Sequence, residues 1–272
     1  MEALTISRVK AALTTRTFGR TLTLLTCTDS TNEVAKCLAQ DGALEGSIVL
    51  AEEQMAGRGR LDRQWLAPEG TSLLCSILFR PQLLPNHIQR LTMLCALAAV
   101  EAVLHVTDLD VALKWPNDLV VEKEEEWHKL AGVLTEVGSD GDKLTYAVVG
   151  IGINVNVPPV ELPELAPDAT SLLAEIGRPV DRAELLAALL YRIERRYEAL
   201  RAGENPSRDW AERLVTIGRR VDVLTRTGTL TGVAESVNED GALLLRTDDG
   251  RLHRLIAGDV TLHRYGALNG NQ

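Results

Sequence analysis

The chain has 272 residues, 45% hydrophobic and 25% charged, ordinary globular proportions that exclude collagen-like, disordered and disulfide-scaffold classes. That length suits one large domain, or a large and a small one. Lys and Arg number 29 against 38 Asp and Glu, a net charge of −9, the opposite of what a dedicated nucleic-acid binder carries.

In chain order, 21–28 (TLTLLTCT) and 47–51 (SIVLA) read as short buried strands, with a helix from Asp29 to about Gln40 between them that Ser30 or Thr31 can cap. After a Gly-rich stretch at 56–59, residues 73–79 are a third strand and 85–105 a long apolar helix, with further strands at 111–113, 130–137 and 146–151. Several strands follow one another without a helix, so the class is α+β, with a mixed sheet flanked by helices. The charged run 122–129 (EKEEEWHK) reads as an exposed turn between strands. Asp181 and Glu184 form a capping-box-like start for a helix carrying Leu185, Leu189, Ile193, Tyr197 and Leu200, which ends at Gly203. Residues 202–210 have the composition of a connector. A first domain therefore spans 1–213. From 214 to 272 the pattern changes to period two with short turns, a small antiparallel β-barrel with its last strand at 260–264. That barrel holds seven arginines and seven carboxylates, so a basic nucleic-acid groove is not expected there.

The longest apolar runs, such as 94–100, fall far short of the roughly 20 residues of a bilayer span. The first residues, MEALTISRVK, show no secretory signal pattern. A cytoplasmic protein without a membrane partner is the expectation. Cys27, Cys37, Cys75 and Cys95 match no zinc spacing and read as buried free thiols.

Four stretches carry candidate chemistry. In 52–65 (EEQMAGRGRLDRQW), Arg58, Arg60 and Arg63 crowd an acidic chain, while Gly57 and Gly59 leave the backbone free to approach a ligand. An anion with a planar oxygen pair suits those guanidinium groups, although a solvated turn with surface ion pairs fits the same residues. Such a loop, with like charges and no apolar periodicity, has little reason to stay ordered alone. Trp65 is either core or a stacking platform for a base. In 114–118 (KWPND), Pro116 forces an irregularity, Lys114 can neutralise phosphate, Asn117 can read a base or hold a loop, and Asp118 can ligate Mg²⁺ or accept a proton. Lys129 precedes small residues in KLAG (129–132), where it faces either a ligand on the sheet or solvent. GIGINVN (150–156) lacks the third glycine and the following helix of a dinucleotide fingerprint, and its glycines suit a flat ligand lying on the backbone. No Ser/His/Asp or Cys/His grouping points to a covalent intermediate.

Together, DSTN at 29–32, GRGR at 57–60, KWPND, KLAG, GIGINVN and ATSL at 169–172 resemble, in order and approximate spacing, the biotin protein ligases over about residues 21–173. The small C-terminal unit resembles that family's SH3-like end domain. The resemblance implies a two-step reaction in which biotin and MgATP give biotinyl-5′-AMP, whose acyl group passes to a lysine of a biotin carboxyl carrier domain of the acetyl-CoA carboxylase type. It implies no tightly bound prosthetic group. It assigns Lys129, Arg58 and Asp118 to catalysis, with Asp118 the metal candidate. Biotin would meet Ser30, Thr31, Asn32, Gln54, Arg58, Gly59, Arg60, Lys129, Gly132 and Gly152. ATP would meet Arg58, Arg60, Trp65, Lys114, Asn117, Lys129 and Asn154, with Trp65 stacking on adenine and Asn154 reading its edge. Only about 20 residues precede the first strand, so the chain resembles ligases without the DNA-binding winged helix, and no DNA partner is expected. The alternatives are a lipoate–protein ligase, which shares the adenylate chemistry, and a non-catalytic biotin-binding module.

Overall fold

The computed structural model describes residues 3–60, 63–140 and 143–263. Helix α1 (Ile6–Ala12) precedes strand β1 (Leu22–Thr28), helix α2 (Thr31–Gln40) and strands β2 (Ile48–Gln54) and β3 (Ser72–Phe79). A 3₁₀ turn at Pro85–His87 leads into α3 (Gln89–Thr107), then β4 (Ala112–Lys114), β5 (Asp118–Lys123), β6 (Glu126–Asp140) and β7 (Lys143–Asn154). Helices α4 (Leu162–Leu165), α5 (Leu172–Ile176), α6 (Arg182–Arg201) and α7 (Ser207–Glu212) follow. Strands β8 (Arg220–Thr225), β9 (Gly228–Val237), β10 (Leu243–Thr247), β11 (Leu252–Leu255) and β12 (Asp259–Leu262) end the described chain.

The α+β expectation holds, and its sheet is mixed. Seven strands lie in the order β1-β2-β3-β7-β6-β5-β4, with β1 and β2 parallel across the α2 crossover and the other neighbours antiparallel. Period-two alternation sorts the two faces. Cys75, Ile77, Val133, Ile151 and Ile153 point to the back, into a core shared with α3 and α6. The front half nearest β1 is covered by α2, whose Ala35 and Ala39 meet Val49, Leu78 and Val148. Beyond the end of α2 the front face is open.

Contrary to the expectation from uninterrupted runs, Pro85–Thr107 is long and apolar enough to cross a bilayer by length and composition. Here it is a core helix, with Leu91, Leu94, Leu97 and Val100 fully enclosed between the sheet and α6. Helix α6 starts as expected, the Asp181 carboxylate accepting from Ala183 N at 2.8 Å and Glu184 N at 3.4 Å. The stretch 202–210 is not a free connector: α7 begins inside it and drives Trp210 into the core. Of the four thiols, Cys75 and Cys95 are buried, whereas Cys27 on the edge strand β1 and Cys37 on α2 are exposed. Burial pushes the Cys75 thiol up to about 12, so it is inert as a nucleophile.

The C-terminal strands form a five-stranded antiparallel sheet ordered β11-β10-β9-β8-β12, SH3-like in kind, with no ladder closing it into a barrel among the described residues. The end of the expected last strand, Arg264, lies outside those residues. This sheet is joined to the first. Leu113 N donates to Arg213 O (3.0 Å), Val215 N to Leu113 O (2.9 Å) and Trp115 N to Thr216 Oγ1 (2.9 Å). Val221, Val223, Leu243 and Val260 share one apolar cluster with the larger unit.

Candidate functional site

The open half of the front face is floored by residues of one parity. Gly132, Leu134 and Glu136 of β6 lie beside Gly152, Gly150 and Val148 of β7, which face Leu74, Ser76 and Leu78 of β3. The two β7 glycines are required by close approach. A Cβ at Gly150 would lie 2.4 Å from Asn32 Oδ1, and one at Gly152 would lie 2.6 Å from the Trp65 ring. The flat group against this floor is therefore the chain's own Trp65, not only a prospective ligand. Along β7 the order is Asn32 over Gly150, Trp65 over Gly152, then Asn154; at about 3.3 Å per residue the three positions span about 13 Å.

One end of the cleft is a hydrogen-bonding wall built on the start of α2. Ser30 occupies the N-cap position but makes no capping hydrogen bond. Gln54, at the end of β2, replaces it: its Oε1 accepts from Thr31 N at 2.8 Å and from Thr31 Oγ1 at 3.0 Å. The helix's first-turn donor is thus satisfied from a strand, which leaves the Ser30 hydroxyl in the pocket lining. Ser76 Oγ lies 2.7 Å from Thr31 Oγ1 and 2.6 Å from Asn32 Oδ1. Asn32 Nδ2 donates to Glu136 Oε2 at 2.7 Å.

The middle of the cleft is cationic. Between β5 and β6 the register shifts, so that Val120 faces Lys129 while Leu119 faces Ala131. The residue skipped at this bulge is Leu130; Lys129 stays opposite Val120 and also bridges to 168–170, Lys129 N donating to Asp168 O (2.6 Å) and Thr170 N to Lys129 O (2.8 Å). The side chain turns into the pocket, its Nζ 2.7 Å from Asp118 Oδ1 and 5.6 Å from the centre of a Trp65 ring. Asp118 is buried, so Lys129 and Asp118 form a pair at the edge of solvent rather than a solvated lysine. Asn117 donates its amide to Val133 O at 2.7 Å and holds the KWPND turn against β6. Lys114 also lines the cavity.

Residues 57–60 and 63–65 pair with one another, Gly59 N donating to Arg63 O (2.7 Å) and Trp65 N to Gly57 O (2.8 Å). Two of the three arginines here are paired: Arg58 with Glu33, at 3.9 Å also from Glu136, and Arg63 with Asp259 of β12. Those carboxylates come from three elements distant in sequence, α2, β6 and β12. Arg60 is enclosed, and its Nε has no partner among the described residues. Burial pulls its guanidinium below the usual value, against the attraction of Asp118 and Asp259. At the far end Asn154 donates Nδ2 to Thr170 O at 2.9 Å and leaves its enclosed Oδ1 unpaired. Trp65 Nε1 is likewise unpaired.

Ser30, Thr31, Asn32, Gln54, Arg58, Gly59, Arg60, Trp65, Lys114, Asn117, Asp118, Lys129, Gly132, Gly152 and Asn154 thus all line one cavity. Sequence reasoning did not single out Ser76, Glu136, Asp168 or Asp259. The signal for Glu136 and Ser76 is a polar residue inside an otherwise apolar strand; Asp259 carries none.

Residues 24–154 match the model of the biotin/lipoate A/B protein ligase family, and 216–262 that of the biotin protein ligase C terminal domain. The bifunctional ligase/repressor BirA of Bacillus subtilis is 33% identical over 259 residues, covering 94% of this chain and 78% of that protein. The biotin–[acetyl-CoA-carboxylase] ligase of Mycobacterium tuberculosis is 34% identical, with 89% and 88% covered. Among solved structures, the Aquifex aeolicus biotin protein ligase in complex with biotin and ATP matches with a TM-score of 0.73 at 31% identity, over 90% of this chain and 99% of that one. The Leishmania major biotin protein ligase in complex with biotinyl-5-AMP matches with a TM-score of 0.56 at 28% identity, over 88% and 99%.

Proposed function

The chain belongs to the biotin protein ligase family and is a biotin–protein ligase, and we propose that the cleft running from Asn32 to Asn154 is where it activates biotin and passes it on. The observation that carries this reading is the succession along one strand of a hydrogen-bonding wall, a cationic middle and an enclosed amide. A ureido head group needs donors and acceptors at one end. A carboxylate facing a triphosphate needs positive charge in the middle, and a purine needs a stacking ring and an amide at the other end.

In the first step the biotin carboxylate attacks the α-phosphorus of ATP, pyrophosphate leaves, and biotinyl-5′-AMP forms. In the second, a carrier-domain lysine amine attacks the acyl carbon and AMP leaves. Two anions must approach each other in the first step, and Lys129, Arg60 and Arg58 supply the compensating charge. Carboxylates of the chain hold these cations, Asp118 on Lys129 and Glu33 on Arg58; the ligand's anions would take over that role. Ser30, Thr31 and Gln54 contact the biotin head, Lys114 the phosphates, Trp65 the adenine face, and the free Asn154 Oδ1 accepts from the adenine amine. No cluster of three metal-ligating residues exists among the described residues. Mg²⁺ would arrive as MgATP, held by substrate phosphates and one or two carboxylates; Asp118 is proposed as one of these, and Asp168 and Asp259 line the same cavity. Residues 1–213 and 214–272 are proposed as the catalytic and end domains, and the acceptor as a carboxylase carrier domain.

Release of pyrophosphate on mixing the protein with biotin and ATP, followed by a mass shift of a carrier-domain lysine, tests the reading. Release with lipoate but not biotin, or with neither, would refute it. With a net charge of −9, no sequence-specific DNA binding is expected; biotin-dependent retardation of one DNA fragment over others at physiological salt would contradict that.

Gly150→Ala should weaken biotin binding by about tenfold or more, because a methyl 2.4 Å from Asn32 Oδ1 must displace that side chain from the wall. Calorimetric titration of biotin measures it, with an unchanged affinity counting against the placement of the head group.

A further inference from the structure

Glu136 points to the cleft side of β6 yet is not among the residues expected to touch a ligand. Its carboxylate is three-quarters covered and takes two side-chain donors, Asn32 Nδ2 on Oε2 at 2.7 Å and Lys36 Nζ on Oε1 at 2.9 Å. Burial alone would raise its pKa, but the hydrogen bonds from Lys36 and Asn32 and the charges of Lys36 and Arg58 outweigh it and hold the carboxyl below its usual range. It is therefore an acceptor-only group at neutral pH.

This fixes the Asn32 amide. Nδ2 must face the carboxylate, so Oδ1 must face the other way, toward Ser76 Oγ at 2.6 Å. Ser76 is fully buried and also lies 2.7 Å from Thr31 Oγ1. Thr31 in turn donates to Gln54 Oε1, which leaves the Gln54 amide donors for a ligand. One set of hydrogen bonds thus links Lys36, Glu136, Asn32 and Ser76, whose single proton goes to Asn32 Oδ1, while Thr31 and Gln54 form a separate pair beside it.

Resting on the ligase reading above, we propose that Glu136 is a positioning residue for biotin recognition: it locks Asn32, and with it the Ser76 hydroxyl that donates to Asn32 Oδ1, in the orientation that shapes the wall against which the head group lies. Without Glu136 the Asn32 amide is free to turn, Ser76 loses a defined acceptor, and the wall reaches biotin in several arrangements instead of one. The cost falls mainly on biotin binding, because Lys129, Arg60 and Lys114 lie outside this set and Arg58, 3.9 Å from Glu136, keeps its closer pairing with Glu33.

The test compares Glu136→Ala, Glu136→Gln and Lys36→Met with the unaltered protein, by biotin titration without ATP and by steady-state pyrophosphate release. Glu136→Ala is expected to raise the biotin Kd and KM about ten- to hundredfold, the range for losing a hydrogen bond to a charged acceptor, with kcat within about twofold and the ATP KM unchanged. Glu136→Gln keeps an oxygen facing Asn32 and should recover most of the affinity, and Lys36→Met should stay within about threefold. Biotin affinity of Glu136→Ala within threefold of the unaltered protein overturns the proposal. So does a Lys36→Met loss as large as that of Glu136→Ala, since the effect would then be one of charge. Glu136→Gln, which leaves no cavity, decides the matter if the alanine variant melts early. Binding of biotin by the unaltered protein, read in the same titration, tests the ligase reading separately.

Discussion

Lys129→Ala is expected to lower the single-turnover rate of biotinyl-5′-AMP formation by about 10²–10³ at saturating biotin and ATP, the loss of about 3–4 kcal/mol that follows removal of one preorganised charge from a reacting centre. The structure adds a complication. Lys129 Nζ sits 2.7 Å from Asp118, which is only 7% exposed, so the single variant leaves a buried carboxylate without its cation. Its melting temperature should therefore fall, and a slow rate alone would not separate chemistry from folding. Lys129→Ala combined with Asp118→Asn removes that burden. The double variant should melt close to the unaltered protein and form adenylate more slowly than Asp118→Asn alone, the comparison that separates Lys129 from Asp118. Lys129→Arg should recover only part of the rate, because a planar fork does not replace a compact charge beside Asp118. A double variant that regains a rate within threefold of the unaltered protein would remove Lys129 from the reaction.

The fold was legible where burial alternates cleanly and obscure where the signal was tertiary. In 150–156 the even positions are Gly, Gly, Asn and Asn and the odd ones Ile, Ile and Val; the odd set enters the core, Gly150, Gly152 and Asn154 face the cleft, and Asn156, past the strand's end, is buried against Val180. Strand β5 was hidden, because it starts at Asp118 directly after Pro116, in a stretch whose composition reads as a turn. The β5–β6 hairpin turns at Glu124 and Glu125 with φ of 52° and 68°, positions that usually advertise themselves as Asn-Gly. Two glutamates give no such signal, so β6 was expected four residues late. Helix α7 hides behind Pro206 and Asn205 and is held by what Trp210 buries.

The same division runs through the site. The cleft-lining residues that sit in short motifs were nameable, because Gly, Arg, Lys and Asn there carry local constraints, whereas Asp168 and Asp259, which also line the cleft, were not. Neither were the partners of the motif residues. Asp259 meets Arg63 across 196 residues of chain, and Glu136 meets Asn32 across 104; only the sheet order and the docking of the C-terminal sheet bring them together.

Trp115→Ala should be the most destabilising substitution in the KWPND stretch, by about 3–5 kcal/mol, the usual cost of truncating a fully enclosed aromatic side chain. Although it sits between two residues that flank the cleft, Trp115 is 0% exposed and turned away from it. Its Nε1 donates to Gly241 O at 2.9 Å, and a Cβ at Gly258 would lie 3.5 Å from its ring. Trp115 is thus the side chain on which the C-terminal sheet rests, and that sheet carries Gly258 and Asp259 to the cleft. At roughly 2–4 °C for each kcal/mol in a chain of this size, the melting temperature should drop by about 10 °C. Trp115→Phe keeps most of the packing but orphans the Gly241 carbonyl, and should lose about 1–3 kcal/mol. Both variants should also raise the ATP KM, since Lys114 and Asn117 are fixed to the same backbone segment. A Trp115→Ala protein melting within 2 °C of the unaltered one would mean that the two sheets hold together without this side chain, and that the hydrogen bonds of Leu113 with Arg213 and Val215 suffice.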